Sequence, residues 1–104
     1  TEAFQNRTDD SITCSDASEC NIDCLVSETC AGVSIQCPVD ANCIIDCNFM
    51  SENDTSLNVC DNLIINATRS TSLSFQCHSQ LHGCDEFLIR CPERIDSKCI
   101  INST

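Results

Sequence analysis

Apolar and polar residues alternate in short runs along this chain, and the runs repeat. Cys30-Ala31-Gly32-Val33-Ser34-Ile35-Gln36-Cys37 aligns with Cys60-Asp61-Asn62-Leu63-Ile64-Ile65-Asn66-Ala67 and with Cys84-Asp85-Glu86-Phe87-Leu88-Ile89-Arg90-Cys91. The shared form is Cys-x-x-Φ-x-Ile-x-Cys/Ala, with Φ apolar, and Ser11-Ile12-Thr13-Cys14 is a truncated first copy. A second run follows each copy: Cys20-Asn21-Ile22-Asp23-Cys24, Cys43-Ile44-Ile45-Asp46-Cys47, Leu73-Ser74-Phe75-Gln76-Cys77 and Cys99-Ile100-Ile101-Asn102-Ser103. Alternate positions of these runs are apolar or cysteine, the period-two signature of a strand with one buried face. Pro38 and Pro92 follow the first runs of their copies, where a missing N–H ends a ladder and opens a turn.

The central isoleucine of the first run falls at positions 12, 35, 65 and 89, and the matching residue of the second run at 22, 45, 75 and 101. That period suits one turn of a solenoid whose rungs bury their inward residues against one another. The pattern predicts a single all-β domain over residues 1–104, a short parallel β-helix of about four rungs stapled by disulfides. The rungs span about residues 11–29, 30–59, 60–83 and 84–104, after an N-terminal extension at 1–10, with an insertion at 48–59. The competing reading is a compact disulfide-rich fold in which the alternation is accidental.

Composition sharpens this. Twelve cysteines in 104 residues mark a disulfide scaffold of a secreted chain, and the even count agrees with complete pairing. Four Phe, with no Trp or Tyr, leave the core short of large rings, so covalent links must offset part of the chain entropy. The N-glycosylation acceptor pattern occurs at Asn6, Asn53, Asn66 and Asn102, with a weaker Asn58-Val59-Cys60 site. Together these predict an extracellular or cell-surface protein made in a eukaryotic secretory pathway and carrying N-linked glycans. No charged-then-apolar leader is present, so any signal peptide is expected to have been removed. No apolar run reaches the length of a membrane span. A formal net charge of -11 argues against direct nucleic-acid binding, which needs Lys or Arg to neutralise phosphates.

The Cys-Pro-x4-Cys-Ile-Ile-Asp-Cys segment from Cys37 to Cys47, with a looser copy from Cys91, resembles the cysteine-rich, right-handed parallel β-helix repeats of large secreted or surface proteins of protists and algae. The resemblance covers roughly residues 9–103 and implies the right-handed sense that parallel crossovers generally take. Parallel β-helices also include polysaccharide lyases, which brings an enzyme into consideration.

The repeat itself proposes a disulfide connectivity. Three rungs carry a cysteine at the end of the first strand and another at the start of the second: Cys14/Cys20, Cys37/Cys43 and Cys91/Cys99. The third rung lacks both together, with Ala67 and Leu73 in their places. A joint loss is what an intra-rung bond predicts, since a single loss would orphan a thiol. The other six then pair across the corner to the next rung, as Cys24/Cys30, Cys47/Cys60 and Cys77/Cys84. The rival scheme joins stacked cysteines of neighbouring rungs, such as Cys14/Cys37 or Cys24/Cys47, whose strand spacing also permits a bond.

Other candidate chemistry is sparse. Cys77, His78, His82 and Cys84 form a possible zinc set, but oxidised cysteines are poor ligands and a turn with exposed histidines accounts for the segment. Asp23, Asp46, Gln76 and Asn102 share one outward column, where stacked carboxylates repel and a calcium ion at Asp23 and Asp46 would relieve them. Exposed acids screened by salt need no metal, so no metal or cofactor is expected. Asp46, with Arg90 as its cationic partner, is the hydrolytic candidate for the enzyme reading, and four rungs offer little cleft for a polysaccharide. An ice-binding face is excluded, because no outward Thr-x-Thr array recurs. Ile64 and Leu88, and Ile44 and Ile100, form outward apolar pairs that suggest a covered surface. No amphipathic helix caps either end of the predicted solenoid, so self-association head-to-tail into a glycan-coated fibre is expected, or the chain is an excised segment of a longer repetitive fibre. The alternative is a monomeric surface module that binds through its acidic, glycosylated faces.

Overall fold

The computed structural model describes residues 2–5, 8, 10–16, 18–24, 30–48, 60–78 and 86–103. Among these the chain is all-β, with no helix. In chain order the strands are β1 (Glu2–Gln5), β2 (Ser11–Thr13), β3 (Cys20–Asp23), β4 (Ser34–Gln36), β5 (Asn42–Asn48), β6 (Ile64–Asn66), β7 (Ser72–His78), β8 (Leu88–Arg90) and β9 (Lys98–Ser103). Successive strands alternate between two sheets, one ordered β1-β3-β5-β7-β9 and the other β2-β4-β6-β8. All pairs are parallel, and neither sheet closes on itself, so β1, β9, β2 and β8 are edges.

Register follows the sequence repeat. Ile12, Ile35, Ile65 and Ile89 are successive partners in the smaller sheet. In the larger sheet the matching row is Phe4, Ile22, Ile45, Phe75 and Ile101. A one-residue slip would turn these rows to solvent, so burial of one face pins the register. The middle of both rows is fully enclosed, with Ile22, Ile35, Ile45, Ile65 and Phe75 at most 1% exposed. Each such side chain contributes about 1.5–3 kcal/mol of burial. Phe87 meets Phe75 edge-to-face with centroids 5.4 Å apart, extending the core toward β8.

The N-terminal extension is not merely a tail. Glu2–Gln5 pairs with Cys20–Asp23, adding a fifth strand to the larger sheet that the repeat did not predict. Phe4 packs against the core, and Glu2 Oε1 accepts the Ser15 N–H at 3.2 Å.

The turns that lead into β4, β6 and β8 share a left-handed residue: Gly32 (φ 68), Asn62 (φ 55) and Glu86 (φ 57). Glycine and asparagine take this conformation cheaply, whereas Glu86 adopts it at a cost of about 1–2 kcal/mol. Cys30 and Cys60, two residues before the first two of these, are also left-handed, at φ 59 and 58. The third repeat, which lacks the cysteines at 67 and 73, uses hydrogen bonds in its turn. The fully buried Ser70 hydroxyl donates to the Pro38 carbonyl at 2.6 Å, and the Ser70 N–H to the Ala67 carbonyl at 3.0 Å.

Candidate functional site

The sulfur framework dominates the interior. Cys14 is bonded to Cys20, Cys24 to Cys30, Cys37 to Cys43, Cys47 to Cys60, and Cys91 to Cys99. Their Cα atoms are 5.6–6.4 Å apart, within the usual span of a disulfide. Cys77 is also disulfide-bonded, and Cys84 lies outside the described residues. Each bond of known partners links cysteines close in the chain and crosses from one sheet, or the turn leading into it, to the other.

The outer faces hold the remaining candidates. Gln5, Asp23, Asp46, Gln76 and Asn102 form one row across the larger sheet. Two carboxylates flanked by neutral amides fall well short of the roughly six to eight oxygens calcium takes. Arg90 belongs to β8 in the smaller sheet, in a row with Thr13, Gln36 and Asn66. Asp46 and Arg90 therefore sit on different sheets, and the two candidates for hydrolytic chemistry are not brought together. Of the proposed zinc set, Cys77 is committed to a disulfide, the His78 side chain is not described, and His82 and Cys84 lie outside the described residues.

Among the acceptor asparagines, Asn6 and Asn53, like the weaker Asn58, lie outside the described residues. Asn66 is half-buried; its Nδ2 donates to Gln36 Oε1 at 3.2 Å, while its Oδ1 accepts from the Thr68 hydroxyl and N–H at 3.0 and 3.3 Å. Asn102 is exposed on β9, with its side chain in the outward row.

A shallow cavity of about 340 Å³ opens at the turn before β9, lined by Thr71, Arg94, Ile95, Asp96 and Ser97. Arg94 is ion-paired with Asp40, and the Ser97 hydroxyl is turned to the carbonyls of Arg94 (2.6 Å) and Pro92 (3.2 Å) rather than to a base. Among the described residues, the lining brings together no hydrogen-bonded nucleophile and base of the kind acyl transfer needs.

The end formed by β8 and β9 differs from the rest. Ile101 is 43% exposed although its row neighbour Phe75 is at 0%; Leu88, Ile95 and Ile100 are exposed there too. At the opposite end Ile12, on the edge strand β2, is 3% exposed. The periodicity placed Ile101 in the core row but gave no sign of its exposure, because its own run has the same alternation as the buried ones.

No helix among the described residues is long and apolar enough to cross a membrane. Comparison with family models, curated proteins and solved structures finds no match.

Proposed function

We propose that this chain is a non-enzymatic structural glycoprotein of the cell exterior, built as a short disulfide-stapled parallel β-solenoid. It is a subunit of a fibre, or a segment of a longer repetitive one, in which such rungs stack end to end. The observation that supports this reading is the unfinished apolar end: β8 and β9 leave unpaired backbone edges beside Leu88, Ile95, Ile100 and Ile101. An edge of this kind is a template for another strand.

Pairing of β9 with β1 of the next copy would continue existing rows, setting Phe4 on Ile101, Ala3 beside Ile100 and Gln5 beside Asn102. Glycans on the outward asparagines would coat such a fibre, with Asn102 at the rim of the joint. The disulfides are the feature that favours an oxidising, extracytosolic setting.

Sedimentation and electron microscopy of the purified chain over a range of concentrations test the proposal. Rods that lengthen with concentration are expected. Uniform particles of one chain's mass at every concentration would instead favour the monomeric binding module.

A further inference from the structure

Four buried sulfurs lie together where β3 and β5 run side by side. Cys24 is bonded to Cys30 and Cys47 to Cys60, all four fully buried. The Sγ atoms of Cys24, Cys30 and Cys60 lie within 4.8 Å of one another. Cys24 extends the β3–β5 ladder: its N–H donates to the Asp46 carbonyl at 2.8 Å, one residue beyond the Asp23–Asp46 pair, which sets it beside Cys47. Cys30 and Cys60 occupy the same place in successive turns, both left-handed, and Gly32 N–H to Asp61 O at 2.7 Å ties those turns together.

Each sulfur thus has a bonded partner along the chain and a neighbour on the adjacent strand or turn. Neighbouring parallel strands are about 4.8 Å apart, inside the roughly 4.4–6.8 Å Cα span a disulfide accepts. Since all four sulfurs are already in disulfides, the cluster offers no thiolate to a metal.

We propose that these two disulfides form an exchangeable pair, isomerising from Cys24–Cys30 and Cys47–Cys60 to Cys24–Cys47 and Cys30–Cys60. A small thiolate of the glutathione class attacks Cys24 Sγ, breaking the Cys24–Cys30 bond and releasing the Cys30 thiolate. Cys30 attacks Cys60 Sγ and releases the Cys47 thiolate. Cys47 then attacks Cys24 Sγ in the mixed disulfide, closing Cys24–Cys47 and returning the small thiolate. Two protein disulfides are present before and after, with no net oxidation. The product joins each strand to its neighbour, where the starting bonds join only segments close in sequence. Full burial makes the first attack depend on local opening, so exchange is slow in the closed fold and faster in mild urea.

The molecule carries its own control. Cys99 is the register partner of Leu73, and Cys91 follows Arg90 beside Ala67, whose N–H donates to the Arg90 carbonyl. Among the described residues, the Cys91–Cys99 disulfide has no sulfur at the matching places of the adjacent repeat and is expected not to exchange.

The test is incubation of the oxidised chain with reduced and oxidised glutathione in mild urea, acid quenching, and mass mapping of non-reduced peptides. Peptides joining Cys24 to Cys47 and Cys30 to Cys60 should exceed any that join Cys91 or Cys99 to another cysteine by on the order of 100-fold, the advantage of neighbouring groups over distant ones. Retention of the original pairs alone, or equal scrambling of Cys91 and Cys99, would overturn the proposal. A Cys47→Ala/Cys60→Ala variant, checked for strand content by circular dichroism, should keep Cys24–Cys30 intact; cross-linking of Cys24 elsewhere at the wild-type yield would also overturn it.

Discussion

Ser70 carries a fully buried polar side chain, and its position explains how a repeat without its local disulfide keeps its turn. Its hydroxyl satisfies the Pro38 carbonyl of the preceding repeat, so the link runs between repeats as well as within one. Ser70→Ala would leave that buried carbonyl without its donor and is expected to lower the unfolding free energy by about 1–2 kcal/mol. Urea titration under non-reducing conditions reads the effect, and an unchanged midpoint would mean the carbonyl finds another donor. Asn66 shows a comparable economy: its amide bridges to Gln36 on one side and to Thr68 on the other. A glycan on Nδ2 would have to displace or share the Gln36 contact.

At the level of strands, the two inward rows were legible in the sequence, because isoleucine, or Phe75 in one case, recurs at the centre of each run and a period of two leaves no choice of face. β1 was not legible. Glu2-Ala3-Phe4-Gln5 alternates over only four residues and carries neither the cysteine nor the isoleucine of the repeat. Its strand state is imposed by the Cys20–Asp23 edge it lies on, a tertiary cause that local pattern does not report. The left-handed backbone at Cys30 and Cys60 was equally hidden, since cysteine has no preference for that region. As for the candidate site, spacing alone did not separate along-chain from cross-strand sulfur pairing, because both satisfy the same distance limits.

Two outcomes belong to this scale. The Ser15 hydroxyl, and then its backbone N–H, hold the Glu2 carboxyl below its ordinary pKa of 4.5. The associated stability is present in full above that ordinary value and is lost as pH falls through the lowered one. Amide protection of β1, relative to β5, should therefore decline on acidification through that window, and Glu2→Gln should remove this pH dependence. Restoring the missing disulfide with Ala67→Cys and Leu73→Cys should stabilise the third repeat, although losing the Leu73 side chain offsets part of the gain. A net rise of about 1 kcal/mol is expected from a loop this short, measurable as a higher thermal midpoint that disappears on reduction.

For the whole molecule, the C-terminal end stands out: Ile101 on edge strand β9 is uncovered, whereas Ile12 on β2 is buried and Phe4 on β1 is partly so. Ile101→Asp places a charge where the side chain is already 43% exposed, so it should leave the fold intact while suppressing rod formation in sedimentation. The same substitution at Ile45, which is fully buried, should unfold the chain. Loss of rods with retained circular dichroism would assign the joint to the β8–β9 end.

The described bonds of known partners join cysteines only 6–13 residues apart, which has a mechanical consequence. No such bond ties a strand to its register partner in the same sheet, so resistance to tension along the stack comes from backbone hydrogen bonds, packing and side-chain links such as Ser70 to Pro38, Asn66 to Gln36 and Arg94 to Asp40. Pulled from its ends, the protein should give way one repeat after another in small increments, because each sulfur loop withholds its own residues from the extension. Force spectroscopy would record short, repeated steps, the behaviour of a shock-absorbing tether.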